Sequence, residues 1–112
     1  MASLQTVVEL PEFIRRARAI MPDEERAALV TFIAAKPDVG ISLGGGLRKV
    51  RLARDGGGKS GGFRLVFVFS GRETPLFLLT IFAKNEKANL SKGEQARLIT
   101  LSKMLLAHYG ER

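Results

Sequence analysis

The sequence predicts an α+β fold, with helices and an antiparallel sheet drawn from separate stretches of chain. Three observations support this. Residues 11–35 twice repeat apolar side chains at helical spacing, and residues 47–82 hold three apolar, β-rich runs divided by glycine-bearing connections. Helical spacing then returns after Ser91. A chain of 112 residues has room for one core, so a single domain over 1–112 is expected, and 46% hydrophobic residues suffice to fill it.

Each element has its own signal. Gln5–Leu10 contains Val7 and Val8 and reads as a short edge strand. Pro11 suits the first turn of a helix, where its missing N–H leaves nothing unsatisfied. Phe13, Ile14, Ala17 and Ile20 give that helix an apolar stripe, with Arg15, Arg16 and Arg18 outward. Pro22 separates it from a second helix. There Asp23, Glu24 and Glu25 occupy the first turn, where the macrodipole favours negative charge, and Ala28, Leu29, Phe32, Ile33 and Ala35 form the buried face. Lys36-Pro37-Asp38 closes it. The period then changes. Leu47, Val50 and Leu52 bracket basic residues, Phe63–Phe69 is apolar except for Arg64, and Leu76–Phe82 is apolar almost throughout. Arg54–Gly62 and Gly71–Thr74 connect these three strands into an antiparallel meander. Ser91 and Glu94 have capping-box spacing ahead of Leu98, Ile99, Leu101, Leu105 and Leu106, so a last helix runs to about Ala107. The expected layering puts the helices on one face of the sheet, with Lys49, Arg51 and Arg64 on the other.

Charge supplies the functional signal. Arg48, Lys49, Arg51, Arg54, Lys59 and Arg64 are opposed between positions 48 and 64 by Asp55 alone, which concentrates most of the chain's +7. Clustered like charge repels itself, and such a cluster is the footprint of a polyanion partner, nucleic acid first. Alternation sets Lys49 and Arg51 on one face about 7 Å apart, near the spacing of successive phosphates on one strand. Taken alone, these residues could also be a solvated strand face. Arg64 is harder to dismiss, because an unpaired charge in an apolar strand is costly. It is either paired to a carboxylate or directed into an anion-binding cleft. Lys84 directly follows the last apolar strand. A plain reading pairs it with Glu86; the functional reading sets it beside Arg64.

Several chemistries are excluded. There are no cysteines, so disulfides, thiol catalysis and cysteine-bound zinc are absent. A single histidine, His108, rules out two-histidine acid–base catalysis, and its place near a helix end suits capping. The scattered carboxylates suggest no metal site and no cofactor. Gly58-Lys59-Ser60 imitates the end of a phosphate-binding loop. That motif needs glycine five residues before Gly58, where Ala53 stands, and a helix straight after, where Phe63–Phe69 reads as strand. The N-terminus lacks a basic start and apolar run, and no window is long and apolar enough to span a bilayer. A cytoplasmic protein without membrane contact is expected, although a lack of cysteine suits the periplasm too.

Taken together the residues resemble a known family. Gly45-Gly46-Leu47-Arg48-Lys49-Val50-Arg51, Gly58-Lys59-Ser60-Gly61-Gly62-Phe63-Arg64 and Leu78-Leu79-Thr80-Ile81-Phe82-Ala83-Lys84-Asn85-Glu86 look like successive blocks of HigB-type toxins. These belong to the RelE/ParE superfamily of bacterial toxin–antitoxin modules. Phe32-Ile33-Ala34-Ala35-Lys36-Pro37 and the Leu90-Ser91 helix start extend the likeness over most of the chain. The resemblance implies two N-terminal helices, a curved antiparallel sheet and a C-terminal helix. It also implies a metal-independent endoribonuclease that cleaves messenger RNA on the ribosome, and a cognate antitoxin, commonly a helix-turn-helix protein like HigA.

In such enzymes the ribose 2′-hydroxyl attacks the adjacent phosphate and the 5′-oxygen leaves. By position, the resemblance makes Arg64 the clamp on the transition state, assisted by Lys84, with Lys49, Arg51 and Lys59 completing the catalytic set. Arginine suits the clamp because its planar fork binds phosphate oxygens in pairs. Lysine crowded by cations can exchange protons, and Lys49 and Lys59 both remain candidates for that role. Arg48, Arg54, Phe82 and Lys87 are expected RNA contacts around the set, Phe82 by stacking on a base. Relatives often carry tyrosine where this chain has Phe67 and Phe82, which leaves the general base unassigned. Two other readings compete: a gyrase-poisoning toxin of the ParE branch, and an RNA-binding module without catalysis.

Overall fold

A computed structural model describes residues 4–53 and 62–110. The element order is β1 (Val7–Glu9), α1 (Pro11–Ile20), α2 (Asp23–Ala35), β2 (Ile41–Gly44), β3 (Leu47–Leu52), β4 (Phe63–Val68), β5 (Leu76–Ala83) and α3 (Lys92–Gly110). Pro11 opens α1, Pro22 stands at the N-cap of α2 and three acids follow it, so local chemistry sets both helix starts. The capping box closes in both directions at the start of α3. Ser91 N–H donates to Glu94 Oε1 at 2.8 Å, and Glu94 N–H donates to Ser91 Oγ at 3.1 Å.

The strands form one five-stranded sheet in the order β1-β5-β4-β3-β2. Three features differ from the sequence expectation. First, the sheet is mixed: β1 runs parallel to β5, while the other neighbours are antiparallel. Second, β2 is an additional strand. It is a glycine-flanked edge with Ile41 57% exposed, so it carries almost no apolar pattern to read. Third, helices cover both faces. Phe13, Ala17, Met21, Leu29 and Ile33 pack on Phe63, Leu65, Phe67, Leu76, Leu78 and Ile81. On the opposite face Leu98, Ile99, Leu101, Leu105 and Leu106 of α3 pack on Leu47, Val66, Val68, Phe77, Leu79 and Phe82. The unbroken apolar character of β4 and β5 had this cause, since strands apolar at both parities need cover on both sides.

A bulge in β5 completes the sharing. Val66 pairs with Thr80 and Phe67 with Leu78, which leaves Leu79 as the extra residue. Side chains before and after the bulge therefore reach α3 out of simple alternation: Phe77 and Leu79, then Phe82. Two contacts seat α3 on the β2–β3 turn. The buried Ser102 Oγ–H donates to Gly45 O at 2.6 Å, and Gly46, at φ 88°, lies so close to Leu106 that a Cβ there would collide with it. The side chains packed under α3 stop short of the Arg51–Arg64 end of that sheet face, and the candidate site lies there.

Candidate anion site at the open end of the sheet

Alternation along β3 sends Lys49 and Arg51 to the α3 face, and Arg64 joins them because its register partner is Arg51. Two arginines thus stand directly opposite on neighbouring antiparallel strands, an arrangement that destabilises a sheet unless something neutralises it. Together with Lys49 they line a cavity of about 250 Å³ whose remaining walls are Gly40, Ile41, Val50, Ala88 and Asn89. Among the described residues no carboxylate lines it. Three cations around one hollow, with no acid among its described walls, are suited to hold an anion.

The segment between β5 and α3 forms the roof, and four basic side chains hold it. Arg16 of α1 donates through Nη2 to Glu86 at 2.6 Å and through Nε to Ile81 O at 3.0 Å. Lys87 donates to Glu94 Oε2 at 2.5 Å, and its ammonium sits 4.8 Å from the centre of the Phe82 ring. Arg64 Nε donates to Ala88 O at 3.1 Å, and Lys49 Nζ donates to Asn89 Oδ1 at 2.8 Å. Spending Nε on the roof orients Arg64, while its two Nη groups have no hydrogen-bond partner among the described residues and form the end of the fork that grips a phosphate. The floor is fixed from behind by Arg48, which donates to Val39 O at 3.2 Å, Asp38 O at 2.8 Å and Gly40 O at 3.2 Å. Gly40, at φ 80°, presses against the backbone of Lys49 where no Cβ could fit.

Lys87 also perturbs its partner. Its ammonium, with help from the Ser91 N–H, lowers the Glu94 carboxyl from its ordinary 4.5 to about 2. The roof's attachment to α3 therefore stays ionised across neutral and mildly acidic pH.

A family model described as the RelE toxin of the RelE/RelB toxin–antitoxin system matches residues 11–112. The chain belongs to the RelE toxin family. Membership makes it the toxin half of a toxin–antitoxin pair, with a cognate antitoxin as its partner. Among its described residues no helix is long and apolar enough to cross a membrane, and no cluster of His, Cys, Asp and Glu comes together that could hold a metal ion.

In this RelE-family toxin the expected site residues divide into groups. Lys49, Arg51 and Arg64 meet in the cavity. Lys84 is exposed one residue beyond β5 and is not among the lining residues, although its N–H still pairs with Gly62 O at 3.0 Å. Its plain pairing with Glu86 is also absent, because Glu86 is taken by Arg16. Arg48, expected to touch RNA, lies on the opposite face with its guanidinium engaged by three carbonyls. Phe82, expected to stack a base, is 1% exposed beneath α3 and Lys87. Lys87 is itself paired to Glu94. Arg54 and Lys59 lie outside the described residues. Tyr109 packs on Phe77, ring centres 5.1 Å apart, and His108 packs on Tyr109. Phe77 pairs with Val68, four residues along β4 from Arg64, so that aromatic cluster sits about 13 Å down the sheet from the cations.

Sequence reasoning missed Asn89, Ala88 and Gly40. Asn89 offered one signal, a polar turn-former just before a capped helix. Ala88 acts only through its backbone, which no side-chain pattern reveals.

Proposed function

We propose that this RelE-family toxin is of the HigB type and cleaves messenger RNA on the ribosome, in the cytoplasm, without a metal. A helix-turn-helix antitoxin like HigA would hold it inactive. One observation carries the reading: Arg51 and Arg64 face each other across two strands, with Lys49 alongside and no acid among the described residues of the shared cavity. A fold retains such repulsion where an anion is to be bound.

The chemistry follows from those groups. The 2′-oxygen attacks phosphorus, the P–O5′ bond breaks, and a 2′,3′-cyclic phosphate and a 5′-hydroxyl result. One proton leaves the 2′-hydroxyl and one reaches the departing 5′-oxygen. Negative charge accumulates on the non-bridging oxygens, where guanidinium donors stabilise it most. Arg64 is the candidate clamp, with its Nη groups unspent among the described residues, and Arg51 adds a second guanidinium. Lys49 and Lys59 remain the candidates for proton transfer, and Lys49 lies in the cavity. Lys84, at the strand end, would contact the flanking RNA backbone.

The test is controlled expression followed by mapping of transcript ends. New ends within translated messages, absent when ribosomes are kept off the message, support the proposal. Intact transcripts beside an induced DNA-damage response would replace it with gyrase poisoning. Steeply salt-dependent RNA binding without cleavage on ribosomes would replace it with a non-catalytic module.

A further inference from the structure

The side-chain amide of Asn89 has an orientation that its partners dictate. Its Oδ1 receives two hydrogen bonds, from Lys49 Nζ at 2.8 Å and from Leu90 N–H at 2.9 Å. Both partners are donors, so the atom between them is the oxygen and the amide cannot be turned over. With Oδ1 engaged, Asn89 offers the cavity only its Nδ2 donors, which have no hydrogen-bond partner among the described residues. The neighbouring walls are of a different kind. Gly40 carries no side chain, Val50 turns its own into the core on the α1–α2 face, and Ile41 leaves 57% of its surface exposed at the rim. One hollow thus offers guanidinium groups for a phosphate, the aliphatic side chain of Ile41 for a flat ring, and a fixed donor pair at that ring's edge.

We infer that this cavity seats a nucleobase beside the bound phosphate and that Asn89 selects a keto base, guanine or uracil, over adenine or cytosine. This deepens the ribonuclease reading and rests on it for the substrate class. Asparagine usually reads adenine in two bonds, accepting from N6 through Oδ1 and donating to N7 through Nδ2. Here the acceptor half is spent on Lys49 and Leu90. An exocyclic amine from adenine or cytosine would therefore meet another donor, whereas O6 of guanine or O4 of uracil meets a complement. The same hydrogen bond that holds the Lys49 ammonium thus sets the polarity of base selection.

Binding of uncleavable RNA tests this apart from catalysis. Hexamers of 2′-O-methyl uridine and 2′-O-methyl cytidine differ at O4 against N4 and carry the same backbone. The uridine hexamer should bind about fivefold more tightly or better, as one base-edge discrimination implies. Asn89→Asp keeps an oxygen for Lys49 and Leu90 N–H and replaces the donors with an acceptor. Its affinity for both hexamers should fall with the added negative charge, and the ratio should shift toward cytidine. Asn89→Ala should bring the ratio close to one, which covers the case of a poorly folded aspartate variant. Arg64→Ala should weaken both hexamers and leave the wild-type ratio intact. Equal binding of the two hexamers by the wild type, or an unchanged ratio in Asn89→Asp, overturns the inference, as does failure to bind either. A preference that behaves as described in a protein that leaves messages whole would sink the ribonuclease reading and leave this one standing.

Discussion

Replacing Arg64 should separate activity from stability, and the structure supplies both magnitudes. Arg64 stands opposite Arg51, so its removal relieves a like-charge pair worth on the order of 0.2–1 kcal/mol. It also deletes the hydrogen bond from Nε to Ala88 O, a charge-assisted contact worth roughly 1.5–3 kcal/mol, toward the lower end because the contact is solvent-exposed. The two effects oppose, and Arg64→Ala should lower stability by about 1–2 kcal/mol at most. Loss of a donor aimed at transition-state charge costs about 10²–10³ in rate, about 2.7–4 kcal/mol. Activity should therefore fall far more than stability. Arg64→Lys keeps the charge without the fork and should fall between, about tenfold below wild type. Single-turnover cleavage of a defined message on programmed ribosomes measures the rate, and urea unfolding measures the fold. A folded Arg64→Ala protein cleaving within about threefold of wild type would refute the reasoning.

Other expectations concern the cavity's walls and roof. Gly40→Ala puts a Cβ against the Lys49 carbonyl at φ 80°, and should cost about 2 kcal/mol or more in a thermal melt. Arg48→Ala should lower stability by about 1–3 kcal/mol through the lost carbonyl contacts, with the salt dependence of RNA binding unchanged. The depressed Glu94 value means its contribution is complete above pH 4.5 and drains away as pH falls from there toward 2. Glu94→Gln should remove that dependence from the urea midpoint across the same window.

Much of the fold was legible because its signals are local. Pro11, Pro22 and the Ser91–Glu94 box each act within one helical turn, and the structure uses all of them. The position of α3 was harder to read. An apolar strand such as β4 states that both faces are covered, but not which helix covers which. The parallel pairing of β1 with β5 joins residues about seventy positions apart, beyond the reach of any periodicity. In the site, the face shared by Lys49, Arg51 and Arg64 followed from period-two alternation and a register of opposed strands. The fates of Arg48, Phe82 and Lys87 did not. Each depends on a partner from another element: the carbonyls of 38–40, the underside of α3, and Glu94. Basic charge identifies residues that can bind an anion. Only tertiary structure shows which of them already have a partner.

The account rests on three cations gripping the phosphates of one RNA segment, and the salt dependence of binding reads that directly. With about three phosphate contacts to a single strand, the logarithm of affinity should fall with the logarithm of salt at a slope near −2. Alanine at Lys49, Arg51 or Arg64 should each reduce its magnitude by about 0.7. A slope near zero, or one that none of these three substitutions changes, would contradict the account.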